Sequence, residues 1–182
     1  LGHDSAFGAN HSFFLKGSDA QLRYAGAAIS PTNAFNIGIG LGTLSQRSER
    51  HIENATKVAR WHEANPLVDR VIWAGLESSP WYERAQKYLP KGPGAVLGFT
   101  LKDATLEQAR DFVDALKLHS NVANIGDVRS LVIHPASTTH SQLSAEELEK
   151  IGVYPNFVRL SVGIENIDDI LAALQLGFDT LY

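Results

Sequence analysis

At 182 residues, with 44% hydrophobic and 20% charged side chains, the chain has ordinary globular composition, which excludes a disordered segment, a collagen-like repeat or a coiled-coil rod. Its 16 Lys and Arg against 20 Asp and Glu leave a formal charge of -4, so no basic field draws in nucleic acid or an anionic membrane. The absence of Cys removes disulfides, thiol nucleophiles and thiolate metal sites from consideration.

No apolar run approaches the roughly 20 residues of a membrane span, and the opening LGHDSAFGAN has neither the charged start nor the apolar centre of a signal peptide. A soluble, cytoplasmic protein is the expectation, with no nucleic acid and no membrane among its partners. The chain contains no Met and begins Leu1-Gly2, so it is expected to be a portion of something longer.

Leu1 to Lys16 shows no period and reads as loop plus a short strand, and Asp19 to Ala28 as a short helix. Ser30-Pro31 is a helix start, with Ser as N-cap and Pro at the first helical position, where its missing N–H costs nothing. A long helix follows to about residue 64, with Gly38, Gly40 and Gly42 as the place for a kink and Ile52, Ala55, Ala59 and His62 at helical spacing beyond them. After Asn65-Pro66 the pattern changes to short apolar runs alternating with amphipathic segments, the clearest boundary in the chain. Strands are predicted at Val68 to Trp73, Ala95 to Leu101, Ser130 to His134 and Phe157 to Gly163. Helices are predicted between and after them: Trp81 to Tyr88, a segment capped by Asp103 with Leu106, Ala109, Phe112, Val113 and Leu116 as its apolar stripe, a Ser144/Glu147 capping box, and a last helix with Ile167, Ile170, Leu171 and Leu174 on one face. Alternation of strand and helix by itself favours a parallel sheet, although an antiparallel sheet with helices on one face produces the same order.

Gly38-Ile39-Gly40-Leu41-Gly42 invites comparison with phosphate-binding loops, but such a loop follows a strand and opens a helix, whereas these glycines lie inside a helix already started at Pro31. Close helix packing or a kink is the simpler reading. His134 and His140 bracket HPASTTH, where Pro135 breaks any helix and no carboxylate intervenes, so a metal pair is disfavoured and His134 is expected to end a buried strand with local hydrogen bonds. Ser137, Thr138 and Thr139 lack a nucleophile-elbow context and suit turn and cap duties. Alternation in Phe157 to Val162 puts Phe157, Arg159 and Ser161 on one face. Arg159 is then either a solvated charge or a planar clamp for a carboxylate or phosphate, with Asn124 of the ANIGD loop as a second polar contact.

The segments NIGDVRSLVIHPASTTHSQLS and VRLSVGIENIDDILAAL, together with ISPTNAFNIGIGLGTLSQRSERHIENATKVA and SSPWYERAQKYLPKGPGAVLGF, resemble the C-terminal part of the Cys/Met metabolism family of pyridoxal-phosphate enzymes, over nearly the whole chain. YLPKG and the NIGDVRSLVIHPASTTH variant are most similar to its O-acetylhomoserine sulfhydrylase branch; cystathionine and methionine gamma-enzymes usually carry Ser where Asn124 stands. The resemblance implies an α/β architecture: the C-terminal small domain of a fold-type I enzyme, with a mainly antiparallel four-stranded sheet, helices packed on it and a long connecting helix before it. Residues 1–29 would be the tail of the large cofactor domain, 30–64 the connecting helix and 65–182 the small domain.

It also implies a parent that forms a homotetramer and replaces the acetate of O-acetylhomoserine with sulfide or a thiol, pyridoxal phosphate serving as electron sink. The alternatives on the same resemblance are cystathionine gamma-synthase or gamma-lyase chemistry, or a non-catalytic module. By position, Arg159 of VRLSVG is implied to bind the α-carboxylate of an amino-acid substrate and Asn124 to contact it further, with Ser130, Thr139 and His140 supporting. The family's cofactor lysine lies in an S-x-T-K type context that none of Lys16, Lys57, Lys87, Lys91, Lys102, Lys117 or Lys150 occupies, so no cofactor-binding or catalytic residue is expected in this chain, which alone should be inactive.

Overall fold

A computed structural model describes residue 17 and residues 22–181, although not the side chain of Ala145. The strand expected within Leu1 to Lys16 and the start of the helix expected from Asp19 lie outside the described residues; of the latter, Arg23–Ala25 is a single helical turn (α1). The chain divides between Leu44 and Ser45 into two compact units.

In the first unit α2 spans Pro31–Gly42, opened as its sequence requires: the Ser30 hydroxyl accepts the Asn33 N–H at 3.2 Å, with Pro31 in the first turn. The kink expected near the glycines is an interruption at Thr43, whose N–H bonds back to the Leu41 carbonyl. The helix resumes as α3, Leu44–Glu63. Beyond the neighbouring residues and the helix's own backbone, no described atom lies within 4 Å of a Cβ placed at Gly38, Gly40 or Gly42, so among the described residues nothing packs closely on these glycines.

The second unit holds one five-stranded sheet, β1 Val68–Ile72, β2 Val96–Leu101, β3 Ser120–Asn121, β4 Leu131–Ile133 and β5 Phe157–Ser161, in the order β1-β2-β5-β4-β3. Helices α4 Tyr82–Tyr88, α5 Leu106–Ala115, α6 Ala145–Lys150 and α7 Ile167–Phe178 fill the connections. The pairs β1·β2, β2·β5 and β5·β4 are antiparallel, which overturns what alternation alone favoured and agrees with what the resemblance implied. A fifth strand joins the expected four: β3 pairs parallel to β4, and its two residues Ser120-Asn121 contain no apolar signal.

Register divides the sheet into two chemically distinct faces. Leu97, Phe99 and Leu101 of β2, Val132 of β4 and Val158 and Leu160 of β5 point to one side, where Ala55, Val58 and Ala59 of α3, Phe112 and Val113 of α5, and Ile170, Leu174 and Phe178 of α7 complete the core. Phe112 and Phe178 meet edge-on at 4.9 Å between ring centroids. His62 stacks on Phe99 at 4.1 Å, so this histidine is a core residue. Leu106, expected on the apolar stripe of α5, is 38% exposed. The N-cap of α5 is Thr105, not Asp103: Thr105 and Gln108 form a reciprocal capping box, while Asp103 takes φ 53° in the preceding turn, a left-handed conformation that a short polar side chain tolerates. The expected box Ser144/Glu147 opens α6.

Candidate functional site

The other face of the sheet carries Arg159. Its register partners are Gly98 on β2 and Ile133 on β4, so no side chain stands beside it from β2. A Cβ at Gly98 would collide with the Phe157 ring, 2.6 Å from its Cζ, so glycine there lets Phe157 lie across β2 beside the arginine. The guanidinium Nη2 donates to the Asn124 carbonyl at 3.3 Å. Only one of the five N–H donors of arginine is used in that bond. Asn124 itself makes a local turn, its Oδ1 accepting the Ile125 N–H at 2.9 Å, and its Nδ2 amide is a further donor on the residue whose carbonyl meets the arginine. Chain segments 35 residues apart thus converge to present a fork and an amide, a donor set suited to a carboxylate.

Of the other positions singled out, Ser130 is fully buried and engaged on every side: its N–H and hydroxyl donate to Glu165 at 2.6 and 2.9 Å, and its oxygen accepts the Gly163 N–H at 2.9 Å. It joins the Asn124 loop to the exit of β5. Thr139 and His140 share a 2.8 Å hydrogen bond with each other, in the loop leaving β4, and form none with Arg159 or Asn124. His134 ends its buried strand with both ring nitrogens occupied, Nδ1 by the Ser137 hydroxyl at 2.8 Å and Nε2 by the Pro155 carbonyl at 2.7 Å. Burial pushes its pKa down, opposed by the Pro155 hydrogen bond. These are the local bonds its sequence position led one to expect.

Sequence reading missed the residues that lock this region. Asn54 on α3 donates from Nδ2 to the carbonyls of Gly163 and Glu165 at 3.0 and 2.9 Å, and His51 donates from Nδ1 to the Val162 carbonyl at 2.6 Å. Neither carries a motif, and their partners stand more than 100 residues away in sequence. Gly163 is dictated by space: a Cβ there would meet the Glu165 carboxylate and lie 2.5 Å from the Ser130 nitrogen and 2.6 Å from the Arg129 carbonyl carbon. Gly163→Ala should therefore lower the unfolding free energy by about 1–3 kcal/mol, while Gly38→Ala, in open helix, should raise it by up to about 1 kcal/mol. Urea unfolding followed by Trp fluorescence reads the first, since Trp61, Trp73 and Trp81 all lie in the second unit, and helical circular dichroism reads the second; equal effects at the two sites would refute the packing argument.

The described residues do not fit a Schiff-base site for pyridoxal phosphate. Lys57, Lys87, Lys91, Lys102, Lys117 and Lys150 are all exposed, and Lys57 is paired with Glu53 at 2.6 Å. Among the described residues no helix is long and apolar enough to cross a membrane.

An O-acetyl-L-homoserine sulfhydrylase of Corynebacterium glutamicum is 52% identical over 167 residues, 92% of this chain and 38% of that protein. One from Thermus thermophilus is 48% identical, over 90% of this chain and 39% of its own length. A crystal structure from Campylobacter jejuni, described as an O-acetylhomoserine (thiol)-lyase with a pyridoxyl-lysine monophosphate, superposes with a TM-score of 0.82 at 40% identity, over 91% of this chain and 39% of that one. The chain therefore spans about two fifths of the length of these relatives. A profile of Cys/Met metabolism PLP-dependent enzymes matches residues 7–179, which takes in α2, the whole sheet, Arg159 and the Asn124 loop, and the chain belongs to that family.

Proposed function

We propose that the full-length protein is a pyridoxal-phosphate-dependent sulfhydrylase that exchanges the acetate of O-acetylhomoserine for sulfide or a thiol, giving homocysteine or methionine, and that this chain supplies its substrate-carboxylate site. The observation that carries the reading is the Arg159 guanidinium held against the Asn124 carbonyl at 3.3 Å on the sheet face opposite the core. Arg159 takes the two carboxylate oxygens with its planar fork, and the Asn124 amide donates a further hydrogen bond. Thr139 and His140 take the supporting roles the resemblance implies, and Ser130 holds the Asn124 loop through Glu165.

On this reading residues 1–29 end the large cofactor domain, 30–64 form the connecting helix and 65–182 the small domain. The cofactor lysine resides in the remainder of the full-length protein, a cytoplasmic homotetramer, and the present chain alone turns nothing over. The exposure of every described lysine and the two-fifths coverage of the relatives support a cofactor lysine outside this chain. The full-length protein, supplied with O-acetylhomoserine and sulfide, should release acetate and homocysteine, and the 182-residue chain alone should release neither. Turnover with cysteine only, giving cystathionine, would overturn the sulfhydrylase reading.

A further inference from the structure

The Asn124 loop is held in place almost entirely by hydrogen bonds. Between β3 and β4 the chain carries Val122, Ile125 and Val128, which are 45%, 57% and 44% exposed, so apolar burial does little to fix it. Four ties bind it to β5 and the segment after it: Arg159 Nη2 to the Asn124 carbonyl at 3.3 Å, the Gly126 N–H to the Ser161 hydroxyl at 3.3 Å, the Ile164 N–H to the Val128 carbonyl at 2.9 Å, and the pair of bonds from Ser130 to Glu165. Two of these ties are charge-assisted, Arg159 to the Asn124 carbonyl and Ser130 to the Glu165 carboxylate, and the Ser130–Glu165 tie alone is made twice, at 2.6 and 2.9 Å. It is also closed into a ring, because the Ser130 hydroxyl that donates to Glu165 accepts the Gly163 N–H at 2.9 Å. The main chain of Glu165 is fixed independently, through its carbonyl, by Asn54 on α3 at 2.9 Å. Glu165 thus transmits the position of a core helix to the loop.

We infer that Glu165 is the positioning residue of the Arg159 site: by clamping Ser130 it fixes the loop that presents Asn124 to the arginine. The inference rests on the reading of Arg159 and Asn124 as the substrate-carboxylate site. Glu165 touches neither of them, and acts through Ser130. With the carboxylate gone, the loop keeps three single bonds, Asn124 drifts from the guanidinium, and the donors no longer converge on a single carboxylate.

The test is a double-mutant cycle on the full-length holoenzyme with O-acetylhomoserine as the varied substrate. Glu165→Gln keeps the side-chain volume but sets an NH2 against a Ser130 donor, so it should raise KM about five- to tenfold, with kcat within about twofold of wild type. The cofactor's visible absorbance should be unchanged. Glu165→Asp, which keeps the charge, should recover part of the loss. In an Arg159→Ala background the same Glu165→Gln change should move KM by clearly less than it does with the arginine present, since only the Asn124 contact is left for the loop to position. Equal increases in both backgrounds would overturn the inference, because a merely structural residue acts additively. An unchanged KM in Glu165→Gln, with a raised KM in Arg159→Ala, would overturn this inference and leave the carboxylate site standing. An unchanged KM in Arg159→Ala would remove both. Should Glu165→Gln not yield soluble holoenzyme, Ser130→Ala reads the same tie from its other end, with a smaller rise in KM expected and an unchanged KM counting against the clamp.

Discussion

Arg159→Ala in the full-length protein is expected to raise KM for O-acetylhomoserine by about 10- to 100-fold while leaving kcat and the cofactor's visible absorbance close to wild type. The magnitude follows from losing one bidentate ion pair, about 1.5–3 kcal/mol for hydrogen bonds to a charged group. The direction follows from where the residue stands. Arg159 lies on β5, on the sheet face away from the core, and its side chain donates to the Asn124 carbonyl. A group that holds the α-carboxylate equally in ground and transition states changes KM and spares kcat. Arg159→Lys separates charge from shape. An ammonium keeps the attraction but cannot span two carboxylate oxygens while also donating to Asn124, so an intermediate KM rise of roughly three- to tenfold is expected. Steady-state kinetics over a range of O-acetylhomoserine concentrations reads all of this, and an unchanged KM in Arg159→Ala would sink the assignment.

Elements whose signal lies within a few residues were legible in the sequence. The four apolar strands, the Ser30-Pro31 helix start and the Ser144/Glu147 box all express local chemistry, and the structure places them within a residue or two of their expected limits. The alternation that put Phe157, Arg159 and Ser161 on one face was equally local, and the register bears it out. What was not legible is set by distance or by competition. β3 is held by Ser120 N–H to Ser130 carbonyl and Val122 N–H to Val132 carbonyl bonds, so its strand character comes from its neighbour. The sequence reading took Asp103 as the cap of α5, whereas the reciprocal partner Gln108 makes Thr105 the cap. Strand direction left no local trace, because alternation of strand and helix fits either sense, and only the family resemblance pointed to the antiparallel arrangement. The Glu165–Ser130–Gly163 ring and the Asn54 anchor join segments 33 to 111 residues apart, which no single-window pattern can report.

Acidification from pH 7 to pH 5 should cost the second compact unit on the order of 3 kcal/mol of stability, most of it from two histidines buried without partners. Among the described residues neither ring nitrogen of His62 or of His119 has a hydrogen-bond partner, and both side chains are buried. Burial, and after it the proximity of His119, push the His62 pKa down to about 3. Burial pushes His119 down to about 4, against the pull of the Glu165 carboxylate. Both are therefore neutral in the folded protein at pH 5, whereas in the unfolded chain, with values near 6.5, both are protonated. The unfolded state then binds more protons, so stability is full above about pH 6.5 and is lost as pH falls toward the folded values. Each unit of depression inside that window is worth about 1.4 kcal/mol, or roughly 2 kcal/mol per histidine at pH 5, as an upper figure. His134, held down by burial, adds in the same direction. The carboxylates Glu53, Asp127 and Glu147 lie below their ordinary values and exposed, so what they contribute is lost only at lower pH. Urea unfolding at pH 7 and pH 5 followed by Trp fluorescence measures the difference, since Trp61 packs against both His62 and Phe178. His62→Gln and His119→Gln each lower absolute stability by leaving a buried amide unpaired, and each should remove about half of the pH dependence. A slope that survives both substitutions would mean that these histidines are protonated, or hydrated, inside the folded core.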